Sequence, residues 1–347
     1  MKKFLVVGLI VLFVGAGFIP STIGEQKEKK SIQIIGSPGY IQDLIDNASD
    51  GDTINIPSGI YYENIIINKS ISLVGEDKDT TVIDASGNGT VIKIHADCVN
   101  ISGFTIQNSG KVYSYSDSGI YIRFNYTTIT GNIIDSNYCY GIYTLHSNND
   151  NITNNILSNN GYGIHLHSSI NSNIKRNNII FNKYSGIVVW GRGNSIIENT
   201  ILNNMNGILF SSTSYNVVKG NTIISNNHSG ITIYASWSNI VNGNNIQSNG
   251  FGILLEDITF GNIILKNNFI DNEKDAFFSY NFFCFNLRTD RWRQNFWNES
   301  IAHPKLIFGE KIIRVGGGFG GYKEYLIPWI IPQIDFFPAK EPYDIGA

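Results

Sequence analysis

A repeat of about 22 residues, marked by Gly-Ile and later by Asn-x-apolar, constrains the fold of this 347-residue chain more than any other feature. The Gly-Ile pairs begin at Gly119, Gly141, Gly163, Gly186, Gly207, Gly230 and Gly252. A second series keeps the same spacing: Asn132, Asn155, Asn177, Asn199, Asn221, Asn244 and Asn267. Self-similarity at a fixed period is typical of solenoids, in which each turn buries its apolar face against its neighbours.

Each repeat has the periodicity of short β-strands. After the glycine, apolar residues alternate with other types, as in Ile120 and Ile122 or Ile187 and Val189. A period of two over four or five residues indicates a strand. Short strands joined by Asn, Gly and Ser corners, one coil per repeat, predict an all-β fold, a right-handed parallel β-helix. We expect the glycines to occupy corners at positive φ and the asparagines to stack and hydrogen-bond between coils.

The two ends of the solenoid carry their own signals. Ser37 and Pro38 precede an i, i+3, i+4 apolar stripe, which predicts a short helix with Ser37 as N-cap and Pro38 as first helical residue. Such a helix would cover the open N-terminal end of the stack. We expect residues 295–298 to end the last coil and residues 301–347, rich in Gly and Pro, to form an irregular extension packed on the solenoid.

The N-terminal residues and the net charge indicate where the protein acts and which partners are disfavoured. Residues 1–24 are typical of a secretory signal, since two lysines precede an apolar run of about 16 residues, too short to span a membrane. We predict a linker over 25–36, a β-helix over 37–300, no membrane span in the mature chain, and a secreted or cell-surface monomer. A net charge of −3 without a basic run argues against nucleic acid as a partner. Among Cys98, Cys139 and Cys284, a disulfide between the first two stays open.

Several motifs resemble a known family. Residues 41–54 (IQDLIDNASDGDTI) and 71–76 (ISLVGE) are similar to the N-terminal segment of NosD-like right-handed β-helix proteins, and residues 337–345 (FPAKEPYDI) resemble the tail of secreted archaeal members. The coils resemble the parallel β-helix (PbH1) repeats shared with carbohydrate-binding proteins and sugar hydrolases, the CASH domain. The resemblance implies the fold over nearly the whole mature chain and periplasmic copper binding as one function. Fold alone does not fix the function.

The outward residues of the predicted strands are the candidate functional surface. Positions three and five after each Gly-Ile start should form exposed ladders, in which aromatic and imidazole groups are concentrated. Flat rings on a rigid sheet would suit stacking against the sugar rings of an extracellular glycan. The candidate glycan face consists of Tyr121, Arg123, Tyr143, His165, His167, Trp190, Tyr234 and Glu256. The alternative is that β-propensity and cross-strand aromatic pairing account for these residues.

Metal and enzyme chemistry have weaker signals. His146, His165 and His167 lie within two neighbouring repeats and could bind Cu or Zn. Glycosidases need two carboxyl groups about 5 to 9.5 Å apart, and no such pair converges on the regular coils. A polysaccharide lyase or hydrolase would have to use either the loop around Asp117 or the C-terminal extension, with Asp290, Arg291, Arg293, His303 and Glu310. The sequence therefore favours a non-catalytic binding or structural protein, with a lyase or hydrolase and a copper-binding accessory protein as alternatives.

Overall fold

A computed structural model describes residues 38–111, 117–281, 290–298, 305–315, 323–328, 333–335 and 338–345. The predicted signal sequence and linker, Cys284 and His303 lie outside these residues, as does most of the loop around 112–116. The side chains of residues 280–281, 309–315 and 323–328, and with them Glu310, also lie outside. No helix among the described residues has the length and hydropathy needed to cross a membrane.

The described strands form three sheets, and the chain visits each sheet once per coil. Sheet A contains Thr53–Ile56, Ser72–Gly75, Asn100–Ser102, Thr128–Thr130, Asn151–Thr153, Asn173–Lys175, Ser195–Ile197, Val217–Lys219, Ile240–Asn242, Ile263–Leu265, Arg291–Arg293, Gln333–Asp335 and Lys305–Ile307. Sheet B contains Gly59–Tyr62, Thr81–Asp84, Thr105–Gln107, Ile133–Asp135, Ile156–Ser158, Asn178–Ile180, Thr200–Leu202, Thr222–Ile224, Asn245–Gln247, Asn268–Ile270 and Phe296–Trp297. Sheet C contains Ile65–Ile67, Ile92–Ile94, Ser118–Ile122, Tyr140–Leu145, Tyr162–Ile170, Ser185–Arg192, Asn206–Ser211, Ser229–Tyr234, Phe251–Glu256, Lys274–Asn281, Gly309–Val315 and Lys323–Pro328. The predicted parallel β-helix is confirmed.

The core is a set of aliphatic columns that run along the helix axis. In sheet A, Ile129 pairs in register with Ile152, which pairs with Ile174, and all three are fully buried. Each fully buried side chain of this size contributes roughly 1.5 to 3 kcal/mol to stability. Because the same slot is filled in every coil, the repeat specifies the register as well as the strands.

Asparagine ladders hold the corners of the coil. In the predicted ladder, the main-chain N–H and the Nδ2 group of Asn177 both donate to Oδ1 of Asn199, at 2.9 and 3.0 Å. The same Nδ2 group donates to the carbonyl of Ile152, one coil earlier, at 2.8 Å. The predicted stacking of these asparagines is therefore confirmed. The ladder continues past Asn267 through Asn295 to the carboxylate of Asp335.

Two further ladders were missed by the sequence analysis. The second consists of Asn137, Asn160, Asn182, Asn204, Asn226, Asn249 and Asn272. The third consists of Asn194, Asn216, Asn239 and Asn262, and ends at Asp290. Their spacing in the sequence matches that of the first ladder, so the signal was present.

The predicted role of the Gly-Ile glycines is wrong. None of the seven has a positive φ; the glycines that do include Gly131, Gly220 and Gly243. At Gly207, a Cβ atom would lie 2.4 Å from the carbonyl oxygen of Gly230 and 2.8 Å from a methyl group of Ile223. Glycine is required there because neighbouring coils approach closely, and the left-handed corners are filled by other residues.

The N-terminal helix is present but starts differently from the prediction. It spans Tyr40–Asn47, with Gly39 at φ 90° as N-cap and no side-chain cap. Its first amides are satisfied by a residue between two strands instead, because the carboxylate of Glu63 accepts hydrogen bonds from the amides of Ile41 and Gln42, both at 3.1 Å. Pro38 is thus not the first helical residue, since a long-range carboxylate replaces the local cap.

The C-terminal extension is more regular than expected. Lys305–Ile307 pairs antiparallel with Gln333–Asp335, and Gly309–Val315 pairs antiparallel with Lys323–Pro328, which adds strands to sheets A and C. Farther on, the main chain of Tyr343 exchanges two hydrogen bonds of 2.8 Å with the side chain of Asn268. The disulfide considered between Cys98 and Cys139 is not formed, because Cys98 is exposed, Cys139 is buried, and both are free thiols.

Candidate functional site

A cavity of about 390 Å³ lies on the outer face of sheet C. It is lined by Tyr140, Tyr162, His165, Val188, Trp190, Leu209, Ser211, Tyr234 and Glu256. Strand alternation explains the choice of residues. Within Ser185–Arg192, Ile187 and Val189 are buried in the core, while Val188 and Trp190 point outward.

The upper end of the cavity is a packed cluster of rings. The ring centroid of Tyr140 lies 4.8 Å from that of Tyr143, 5.3 Å from that of Tyr162 and 5.2 Å from that of His165. As a result, Tyr143 is only 1% exposed and His165 only 5% exposed. The predicted exposure of these two side chains is therefore wrong. Alternation gives the direction in which a side chain leaves the sheet, but not what covers it.

His165 is an uncharged structural imidazole. Burial, and secondarily the charge of His167, lower its pKa from 6.5 to about 3. Neither of its ring nitrogens has a hydrogen-bond partner among the described residues. The edge of the Trp190 ring packs against it with 5.2 Å between centroids. At neutral pH, His165 thus contributes shape rather than charge to the cavity.

Two large rings remain exposed at the lower part of the cavity. Trp190 is 41% exposed and Tyr234 is 42% exposed. They occupy the same column, with Ser211 in the coil between them. Glu256 follows Tyr234 in register and is half-buried, and burial raises its pKa. The site thus combines two accessible rings, an apolar floor of Val188 and Leu209, and one carboxyl group.

The structure brings together half of the predicted glycan face. His165, Trp190, Tyr234 and Glu256 line the cavity, whereas Tyr121, Arg123, Tyr143 and His167 do not. Tyr121 stacks on Tyr143 at 5.8 Å, and Arg123 is exposed outside the lining. Tyr140 and Tyr162 were missed, although each directly precedes the glycine of a Gly-Ile pair.

Two of the three histidines considered as copper ligands have buried or hydrogen-bonded ring nitrogens. The ring centroids of His165 and His167 are 5.8 Å apart, and those of His146 and His167 are 6.4 Å apart. Nδ1 of His167 lies 2.7 Å from the hydroxyl of Tyr143, while both nitrogens of His165 are buried. No group of three or more His, Cys, Asp or Glu residues suited to a metal ion occurs in the described part of the chain.

The candidate catalytic residues also occupy structural positions. Asp290 is buried and ends the third ladder, where its carboxylate accepts hydrogen bonds from Asn262 and Thr259. Asp117 is buried beside Cys139, whose thiol pKa is raised by burial and then by this carboxylate. Arg291 and Arg293 are exposed on a strand of sheet A, on a different sheet from the cavity.

Two family models and a cell-surface relative match parts of this chain. A family model described as periplasmic copper-binding protein (NosD) matches residues 182–313, and one described as right handed beta helix region matches residues 69–223. A cell surface glycoprotein of Methanothermus fervidus is 35% identical over 146 residues, which cover 41% of this chain and 22% of that protein. The chain thus spans about a fifth of that relative's length.

Solved structures agree on the fold. The A-module of mannuronan C-5 epimerase AlgE4 from Azotobacter vinelandii has a TM-score of 0.55 and 17% identity, over 76% of this chain and 91% of that one. The Dettilon tailspike protein has a TM-score of 0.56 and 15% identity, over 80% and 71% of the two chains. The winding predicted from the sequence, a right-handed parallel β-helix, is confirmed.

Proposed function

We propose that this chain, a NosD-like right-handed β-helix protein, acts at the cell surface by binding glycan chains in the aromatic cavity of sheet C, without cleaving them. The identity to a cell surface glycoprotein supports the location. The charge of −3 supports a partner other than nucleic acid.

The observation that carries the proposal is the pair of exposed rings beside an apolar floor. Trp190 and Tyr234 lie two strands apart in one column, a separation of about 9.6 Å at ~4.8 Å per strand. The hydration of large exposed aromatic rings is unfavourable, so a partner that covers them gains free energy, and clustered exposed rings mark interaction sites. Ser211 lies between the two rings, and its hydroxyl can hydrogen-bond to a sugar.

The rigid sheet favours binding of a long, repetitive ligand. The cavity extends over the strands from Tyr140–Leu145 to Phe251–Glu256, five steps of ~4.8 Å, or about 24 Å. Because the backbone of every strand is hydrogen-bonded on both sides, the rings need little ordering when a ligand binds.

A non-catalytic role fits the charges of the cavity. Glu256 is the single carboxyl group in its lining. Hydrolysis of a glycosidic bond by the usual acid and base pair needs two carboxyl groups about 5 to 9.5 Å apart, flanking the scissile bond. The residues proposed for the alternative lyase or hydrolase, Asp117 and Asp290, serve in the packing described above.

Affinity gel electrophoresis against a panel of soluble polysaccharides tests the proposal. The double variant Trp190→Ala/Tyr234→Ala is expected to lose at least tenfold in retention on the polymer that retards the wild type. Trp237→Ala and Tyr215→Ala are matched controls, because both rings are exposed but lie outside the cavity lining. They should keep wild-type retention.

Three results would decide against the proposal. Unchanged retention of the double variant, with lowered thermal stability, would mean that the rings only stabilise the sheet. New reducing ends or unsaturated uronates released from the panel would indicate the lyase or hydrolase. Tight Cu(II) binding by the wild type that His165→Ala/His167→Ala removes would indicate the copper accessory role.

A further inference from the structure

The charge in the lining of the aromatic cavity of sheet C is unbalanced. Its lining has one acidic group, Glu256, and no lysine or arginine among the described residues. His165 adds no positive charge at neutral pH, because burial keeps its ring unprotonated. A negatively charged ligand would therefore meet a like charge without a cation to offset it.

Three lysines around sheet C lie outside the lining of the aromatic cavity, as does Arg192 on the strand that carries Trp190. Nζ of Lys183 lies 5.1 Å from the ring centroid of Tyr184, and Lys183 and Lys111 line a different cavity of about 530 Å³. Nζ of Lys274 lies 4.7 Å from the ring centroid of Phe277. Such cation–π contacts hold the ammonium groups over rings that do not line the aromatic cavity.

The position of Glu256 lets its carboxylate interact with the charge of a ligand that covers Tyr234. It is next to Tyr234 in the strand register, at the lower end of the cavity. A half-buried carboxylate interacts with ligand charge more strongly than an exposed one, because less water screens it. Hydroxyl groups of an uncharged sugar can instead donate hydrogen bonds to it.

We propose that the aromatic cavity takes uncharged glycans, chains of neutral hexoses or N-acetylhexosamines, and that Glu256 excludes polymers of uronic acids. This inference rests on the glycan-binding function proposed above. It separates this chain from the mannuronan epimerase with which it shares the fold, since mannuronan is a polymer of uronic acid.

The test compares neutral polymers (a soluble glucan, a mannan and a soluble N-acetylglucosamine polymer) with polymannuronate and polygalacturonate at pH 8. We expect the wild type to bind one neutral polymer at least tenfold more tightly than either uronate. Glu256→Gln should reduce the ratio of neutral-polymer affinity to uronate affinity at least threefold. Glu256→Lys should reduce this affinity ratio at least tenfold. The binding of uronate polymers by this variant should weaken as salt is added.

A carboxylate variant outside the cavity provides the control. Glu198 forms ion pairs of 2.8 Å with Arg176 and 3.5 Å with Lys175, and lies outside the cavity lining. Glu198→Gln removes the same charge from the protein but outside the cavity. It should therefore leave the ratio of neutral-polymer affinity to uronate affinity unchanged. An equal effect of Glu198→Gln and Glu256→Gln would assign the selectivity to net charge and overturn the role of Glu256.

Failure of this inference can be distinguished from failure of the proposed function. Uronate binding as tight as neutral binding, lost in Trp190→Ala, would leave glycan binding in place and overturn the selectivity. Binding of no polymer, or binding indifferent to Trp190→Ala, would overturn the proposed function and this inference with it.

Discussion

Asp150 is a buried acid in a column where neighbouring coils use uncharged groups. Its main-chain N–H donates to Oγ of Ser172, and its Oδ1 accepts from the main chain of Thr127 at 3.0 Å. Its Oδ2 lies 2.5 Å from Oγ of Ser147, which also contacts the carbonyl of Phe124. A serine has one hydroxyl proton and a carbonyl can only accept. The network is complete when Ser147 donates to Phe124 and a protonated Asp150 donates to Ser147.

The pKa of Asp150 gives the magnitude of the effect. Burial raises it from 3.8 to about 6, against hydrogen bonds from Ser147 and Thr127 that lower it. Between these values the unfolded chain releases its proton first, so the free energy of unfolding falls as the pH rises. The loss is complete above pH 6 and amounts to about 3 kcal/mol, at 1.36 kcal/mol per pKa unit. Because part of the titration lies below pH 4, the loss of unfolding free energy between pH 4 and pH 8 is about 2 kcal/mol.

The substitution Asp150→Asn tests this reasoning, because an amide keeps the shape, donates to Ser147 without a charge and cannot ionise. Urea unfolding of wild type and variant, followed by tryptophan fluorescence from pH 4 to pH 8, should give equal m-values. The unfolding free energy of the variant minus that of the wild type should rise by about 2 kcal/mol from pH 4 to pH 8. Asp43→Asn, which removes an exposed carboxylate on the helix, is the matched control. A stability difference that stays constant with pH, or one that falls as the pH rises, would refute the argument.

Two further substitutions test the asparagine ladder and the close approach of neighbouring coils. Asn199→Ala should lower the free energy of unfolding by about 3 kcal/mol, because it leaves buried groups on both neighbouring coils without partners, whereas Asn242→Ala on the outer face of sheet A should cost under about 1 kcal/mol. Equal costs in urea titrations would show that the ladder adds nothing beyond packing. Gly207→Ala should cost about 2 to 3 kcal/mol, because its Cβ would lie 2.4 Å from a carbonyl oxygen of the next coil. Gly243→Ala should cost only about 1 kcal/mol, since it meets no atom within 4 Å and only its φ of 63° is unfavourable. The reverse order in thermal unfolding would contradict the close-approach explanation.

The regular coils were predictable because their determinants are local and repeated. Ile129 and Asn132 recur at the same spacing in every coil, and each recurrence is an independent observation of one buried slot. The sequence did not reveal why the glycines recur, since a close approach such as that at Gly207 depends on the coil above. The start of the helix failed for the same reason, because its cap, Glu63, is distant in the sequence.

The site was harder to predict because cover depends on side chains that start in other coils. Tyr121 and Tyr143 occupy equivalent slots, yet only Tyr143 is buried, because Tyr140 leans over it. His165 is covered in the same way by Tyr140 and Trp190. Residue type and alternation place a side chain on a face, whereas its accessibility is decided by the sizes of its neighbours in three directions.

The variation along the outer columns of sheet C argues that the cavity is more than a by-product of stable packing. The buried columns keep Ile and Asn in nearly every coil, whereas the outer column changes from His167 to Trp190, Ser211, Tyr234 and Glu256. Selection for stability alone would favour rings that stack in adjacent coils and bury one another, as in the tyrosine cluster above. Instead, Ser211 separates the two exposed rings, and all three residues line the cavity of about 390 Å³. A filled column would bury more apolar area, so the gap at Ser211 leaves both rings accessible to solvent, as the proposed binding function requires.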